Sequence, residues 1–111
     1  MGKKEIVPSI VPVKAKIIAN IVKKHKPKRI LEIGTLHGYS AIIMANELDD
    51  AQVSLGSVVT IEIDKTVAKT ARKNIEVAGL LRKVDIIVGD ASEVIPKLHG
   101  KFDLLFIDAS K

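Results

Sequence analysis

The stretch "LEIGTLHGYSAI", residues 31–42, is an apolar strand ending that runs into two glycines four residues apart and then into a helix-like segment. A turn built that way serves an ordinary βα connection, a phosphate cradle, or the seat of a cofactor that carries no phosphate. Spacing narrows the choice. The dinucleotide pattern G-x-G-x-x-G needs its second glycine two residues after the first, so that backbone can approach a pyrophosphate. Here Gly34 is followed by Thr35 and Leu36, and the next glycine is Gly38. A P-loop is excluded as well, because no Gly-Lys-Ser/Thr follows. The turn alone still allows a plain tight connection, with Gly34 supplying an unusual φ and Gly38 permitting close helix packing.

Working outward, the order of elements is more informative than any one of them. Ser9 and Pro12 predict the start of a helix whose apolar positions Val13, Ile17, Ile21 and Val22 recur at helical spacing, and Pro27 stops it. "RILEI", residues 29–33, is a short apolar run without helical period, as a strand buried on both faces reads. "YSAIIMANEL" reads as helix, "AQVSLG" as loop, and "VVTIEI", residues 58–63, as a second strand. Asp64 is a fitting N-cap for "KTVAKTARKNIEVA", with Val67, Ala71, Ile75 and Ala78 on one face and Gly79 at the C-terminal cap. "VDIIV", residues 84–88, is a third strand, "ASEVIPKL" a short helix, and "FDLLFID", residues 102–108, a fourth strand. Strict alternation predicts an α/β fold, a Rossmann-like doubly wound parallel sheet of order 3-2-1-4 with helices on both faces. Ligands of such sheets bind outside the carboxyl ends of the strands, at the switch point between strands 1 and 4.

Size and composition agree with one domain, 1–111, made of a basic helical region, 1–28, and a βαβαβαβ core, 29–111. No apolar run approaches the ~20 residues of a membrane span. The N-terminus is broken by Pro8 and Pro12 and lacks the small-residue cleavage site of a secretory signal. Without cysteine there is neither a disulfide framework nor a thiolate metal site. A soluble cytoplasmic protein is the expectation. The net charge of +5 is uneven: residues 1–29 carry eight lysines and Arg29 against the single acid Glu5. "KKHKPKR", Lys23 to Arg29, suits contact with phosphate, but lysines at a helix C-terminus also complement the macrodipole without any partner. Tyr39, Phe102 and Phe106 are too few aromatics for a base-stacking platform.

Two acids change the reading of the turn. Glu62 closes the second strand, where a carboxylate can accept from both ribose hydroxyls of an adenosine. Asp90, in "VGDAS", follows the third strand beside the same crevice. Each has a plainer role open to it: Glu62 in a pair with a surface lysine, Asp90 as N-cap of the helix beginning at Ala91. Together with the turn they converge on one ligand edge. An acid-lined pocket at a helix N-terminus suits a ligand with ribose, a cation and a carboxylate better than a polyphosphate.

"LEIGTLHGYSAI", "VVTIEID", "VGDASEVIPKL" and "FDLLFIDASK", in this order and spacing, closely resemble the class I S-adenosylmethionine-dependent methyltransferases. Among those, the chain resembles the O-methyltransferase family that includes catechol and caffeoyl-CoA O-methyltransferases, from about residue 8 onward. The resemblance implies that Glu32, Gly34, Thr35, Gly38, Tyr39 and Ser40 hold the methionine portion of the donor, with Ser40 and backbone N–H groups near its carboxylate. Glu62 would hold the ribose hydroxyls and Ile63 pack on the adenine, while Asp90, Ala91 and Ser92 read the adenine edge. Asp108 would sit near the sulfonium and bind Mg²⁺ in metal-dependent members, and Lys111 matches the lysine that helps deprotonate the acceptor hydroxyl. His25, His37 and His99 match nothing in these motifs and read as surface or turn residues. The implied acceptor is a small hydroxylated molecule, with an RNA hydroxyl as the variant the basic cluster suggests, and no membrane. Family members continue beyond the position of Lys111 with further strands and an Asp-Asn pair that completes the metal site; Ser110 stands where many bacterial members have a second aspartate. The expectation is thus a donor-binding half without the acceptor-binding half, whether as a catalytic chain or as a non-catalytic binding fragment. In it the fourth strand, 102–108, offers an uncovered apolar edge to a second copy or a second chain.

Overall fold

The computed structural model describes residues 12–48 and 56–107. Its elements are α1 (Pro12–His25), β1 (Ile30–Ile33), α2 (Tyr39–Glu47), β2 (Val58–Glu62), α3 (Lys65–Val77), β3 (Val84–Val88), α4 (Ala91–Val94) and β4 (Leu104–Ile107). The four strands form one parallel sheet of order β3-β2-β1-β4, as the alternation predicts. Ser9 and residues 51–55 of the expected loop lie outside the described residues.

Strand parity divides the core into two layers. Ile30, Val58 and Val84 point to one face, where Ile18 and Val22 of α1, Ala41, Met44 and Ala45 of α2, and Ile75 of α3 cover them. Leu31, Val59 and Ile61 point to the other, where α4 and the segment after it supply Ala91, Val94, Leu98 and Phe102. β1 and β2, inside the sheet, are almost wholly buried, whereas β3 and β4 at its edges are partly exposed, β4 in strict alternation.

Several expectations are met in detail, and others shift by a helical step. Asp64 caps α3 by accepting from the N–H groups of Thr66 and Val67 at 2.8 and 3.1 Å. α3 ends in a Schellman turn: the Gly79 N–H donates to Glu76 O and the Leu80 N–H to Ile75 O. Its buried stripe is Ala68, Ala71 and Ile75, however, with Val67 half-buried and Ala78 exposed at the cap. α1 is rotated likewise. Ile18 and Val22 face the core, while Val13 and Ile17 remain 69% and 53% exposed and Ile21 39%. Apolar residues, alanines included, spread over more than half of this helix circumference, and contact with α2 selects the 18/22 stripe. The fourth helix stops at Val94 and passes into a 3₁₀ turn over Ile95–Lys97, near whose start Pro96 has no N–H to donate.

A polar clamp docks β4 onto β1. Asp103 accepts the N–H groups of Lys28 and Arg29 at 2.8 and 3.1 Å, and its own N–H donates to Arg29 O. The Arg29 guanidinium donates to His99 O at 2.8 Å and lies 4.1 Å from the Phe102 ring centroid. Arg29 and Lys28 of the basic cluster are thus tied into the fold, and Lys23 lies 3.8 Å from Glu47. Phe102 and Asp103, expected in the strand, form its entry instead.

The Lys28 and Arg29 N–H groups hold the Asp103 carboxyl below the usual carboxylate range. A depressed carboxyl stabilises the fold above its unfolded pKa of about 3.9 and loses that contribution as pH falls through the lower folded value. In urea titrations from pH 6 to 2, Asp103→Asn should therefore have a flatter acid limb than the wild type. Identical slopes would count against the clamp.

Candidate functional site

The site begins where β1 ends. Gly34 (φ 96°) turns the chain across the end of β2, donating from its N–H to Ile61 O at 2.9 Å. Gly38 (φ 87°) starts α2 so close to α3 that a Cβ there would lie 3.3 Å from Ala71 Cβ, Ala71 O and Ile75 Cδ1. Both glycine roles expected from the sequence are present. Between them Leu36 adopts φ 52°, a backbone state costing an L-residue about 1–2 kcal/mol. Its N–H is taken by Glu62 Oε1 at 2.9 Å, while Glu62 Oε2 accepts the Asp64 N–H at 3.0 Å. Glu62 is buried and pairs with backbone rather than a surface lysine. No sequence pattern pointed to Leu36, since only the folded turn reveals its positive φ.

Around this turn Ile33, Gly34, Ile61, Glu62, Ile63, Gly89, Asp90 and Ala91 line a cleft of about 190 Å³ at the carboxyl ends of β1, β2 and β3. Five expected site residues meet there: Gly34, Glu62, Ile63, Asp90 and Ala91. Asp90 combines both roles weighed for it. It borders the cleft and caps α4, accepting from the N–H and the hydroxyl of Ser92 at 2.9 Å each. Those bonds, the backbone one foremost, hold its carboxyl below the usual range. Ser92 itself is exposed, and Ile63 is an exposed aliphatic lip.

The other expected residues lie behind the turn. Glu32, Thr35 and Ser40 are buried, and Ser40 donates its hydroxyl proton to Glu32 Oε2. Tyr39 is half-buried at the start of α2, its ring centroid 6.0 Å from that of His37. His25, His37 and His99 are exposed and none lines the cleft. Asp108, Ser110 and Lys111 lie outside the described residues. Among the described residues no three His, Cys, Asp or Glu side chains gather as a metal site would need. None of their helices is long and apolar enough to cross a membrane.

A doubly wound parallel sheet with a glycine turn and carboxylates at its strand ends defines a Rossmann-like ligand-binding domain. Comparison with known proteins makes this specific. The family model described as O-methyltransferase matches residues 4–111. The catechol O-methyltransferase of Niastella koreensis is 40% identical over 107 residues, covering 93% of this chain and 47% of that protein. That of Mycobacterium tuberculosis is 44% identical over 85 residues, covering 76% of this chain and 37% of that protein. Among solved structures, the O-methyltransferase from Bacillus cereus in complex with SAH superposes with a TM-score of 0.82 at 36% identity, covering 93% of this chain and 47% of that one. An O-methyltransferase from Streptomyces achromogenes involved in tomaymycin synthesis, in complex with SAM, gives 0.82 at 29% identity, covering 96% and 51%. The chain belongs to the O-methyltransferase family. It spans about half the length, or less, of the curated relatives it matches.

The close seat of Gly38 makes it the most demanding position in the turn. Gly38→Ala should lower unfolding stability by about 1–3 kcal/mol in urea denaturation, from left-handed backbone and a crowded Cβ together. Wild-type stability in that variant would contradict the packing described.

Proposed function

We propose that this chain is the donor-binding part of an S-adenosylmethionine-dependent O-methyltransferase acting on a hydroxyl of a small acceptor. One observation carries the reading: the Gly34 turn, Glu62 and Asp90 border a single cleft at three adjacent strand ends. The SAH and SAM bound in the Bacillus cereus and Streptomyces achromogenes structures support the choice of donor.

Each part of the cleft has chemistry suited to that donor. A carboxylate has about four lone-pair sites. Glu62 uses one on each oxygen for the Leu36 and Asp64 N–H groups, which leaves acceptors for two vicinal ribose hydroxyls. Ile63 offers aliphatic surface to a purine face, and Asp90 and Ala91, which line the same cleft, would meet the purine edge. Gly38 gives α2 no side-chain cap, so the first N–H groups of that nine-residue helix suit the donor's carboxylate. Bound S-adenosylmethionine supplies a methyl carbon already activated by its sulfonium, for in-line displacement by the acceptor oxygen. The residues of this chain chiefly hold and align the donor, which removes orientational entropy from the barrier. By the family resemblance, Asp108 would stand beside the reacting centre and Lys111 would take the acceptor proton.

The 111-residue chain should bind adenosylhomocysteine at one site by titration calorimetry. Glu62→Ala should weaken that binding at least about tenfold, roughly 1.4 kcal/mol. No binding by the folded wild type, or equal binding by the variant, would overturn the assignment.

We further propose that the outer edge of β4 pairs with another strand. Among the described residues nothing pairs with that edge, and Leu105 and Ile107 are more than half exposed. An open edge with apolar side chains is a template for strand addition. Light scattering behind size exclusion should find a dimer or larger species at high concentration. A clean monomer there would refute the pairing.

A further inference from the structure

Beneath the glycine turn lies a buried polar cluster that includes Thr60, a residue to which the sequence motifs assign no role. Glu32, fully buried on β1, accepts the hydroxyl of Ser40 and, at 2.7 Å, that of Thr60. Thr60 stands directly opposite Glu32 on β2, and its Oγ1 is 2.6 Å from Thr35 Oγ1. A hydroxyl carries one proton. Since that of Thr60 goes to Glu32, Thr35 is the donor to Thr60. The chain of donation therefore runs from Thr35 to Thr60 to Glu32, with Ser40 donating to Glu32 from the other side.

This order ties both ends of the turn to one carboxylate. Thr35 and Ser40 bracket residues 36–39, which hold the positive-φ Leu36 and the crowded Gly38. All four cluster members are buried. Loss of any one link leaves a partner unsatisfied away from water, at a cost larger than the net value of an ordinary hydrogen bond.

We infer that Thr60 is a positioning residue for the turn: through Glu32 and Thr35 it holds residues 35–40 in the shape the cleft requires. Thr60 is fully buried and does not line the cleft, so it acts without touching the ligand. Its effect on the ligand rests on the donor-binding reading above, whereas its effect on turn order does not. Valine has the same shape but neither donates nor accepts, leaving Glu32 one donor short and Thr35 without its acceptor. Serine keeps the hydroxyl.

The test compares Thr60→Val and Thr60→Ser in the 111-residue chain, at a temperature where circular dichroism shows all forms folded. Thr60→Val should bind adenosylhomocysteine about tenfold more weakly, and Thr60→Ser should restore affinity to within about twofold. In the ligand-free proteins, amide exchange of residues 36–40 should accelerate in the valine variant while Ala71 and Ile75 of α3 exchange at the wild-type rate. Unchanged exchange in the turn, or equal acceleration throughout α3, overturns the inference, the latter because it marks a general loss of stability. Turn-restricted acceleration with wild-type affinity overturns it too, since order would then not govern binding. If the wild type itself binds no adenosylhomocysteine while exchange responds as expected, the donor reading falls and the ordering role of Thr60 stands.

Discussion

The carboxylate of Glu62 accepts the Leu36 N–H through one oxygen and the Asp64 N–H through the other, joining the end of β2 to the turn after β1 and to the start of α3. A buried carboxylate is tolerable only when donors surround it. Here the donors are backbone groups of the segments that build the cleft. The need to satisfy this charge and the need to shape the cleft are therefore met by the same contacts. Leu36 can stay in a left-handed conformation because its N–H has a charged acceptor there. Were that acceptor removed, the turn would have little reason to keep its strained form.

Glu32 and Glu62 stand on neighbouring strands, and both are buried, yet depth separates their work. Glu32 lies within the sheet, opposite Thr60, and accepts the side-chain hydroxyls of Ser40 and Thr60. Glu62 lies at the last position of β2, where the carboxylate reaches the turn and borders the cleft. The inner carboxylate organises the turn from below, and the outer one faces the space a ligand would fill. Glu32, opposite Thr60 and thus two positions short of the end of β2, does not line the cleft, whereas Glu62 at that end does.

The basic character of the chain also looks different once folded. Arg29 and the backbone of Lys28 are spent on docking β4, through bonds to the His99 carbonyl and the Asp103 carboxylate. Without that clamp β4 would rest on one row of ladder bonds at the sheet edge, with two of its four side chains facing outward. The polar clamp thus does at the entry of β4 what burial does for β1 and β2.

The alternation of short apolar runs with helical segments determined the strand order, because parallel strands need crossovers and their buried faces need aliphatic side chains. The spacing of Gly34 and Gly38, with Glu62 and Asp90 at strand ends, likewise placed the cleft. Which helical stripe faces the core was beyond reach for α1 and α3, since apolar residues there occupy more of the circumference than the core accepts. Nor could sequence separate acids that line the cleft from those that support it. Nothing in "VVTIEI" marks Thr60, and nothing in "GTLHG" marks Leu36, because each acts through a partner more than twenty positions away in the chain. Such contacts arise only when the register of two strands is fixed, so the tertiary structure alone decided them.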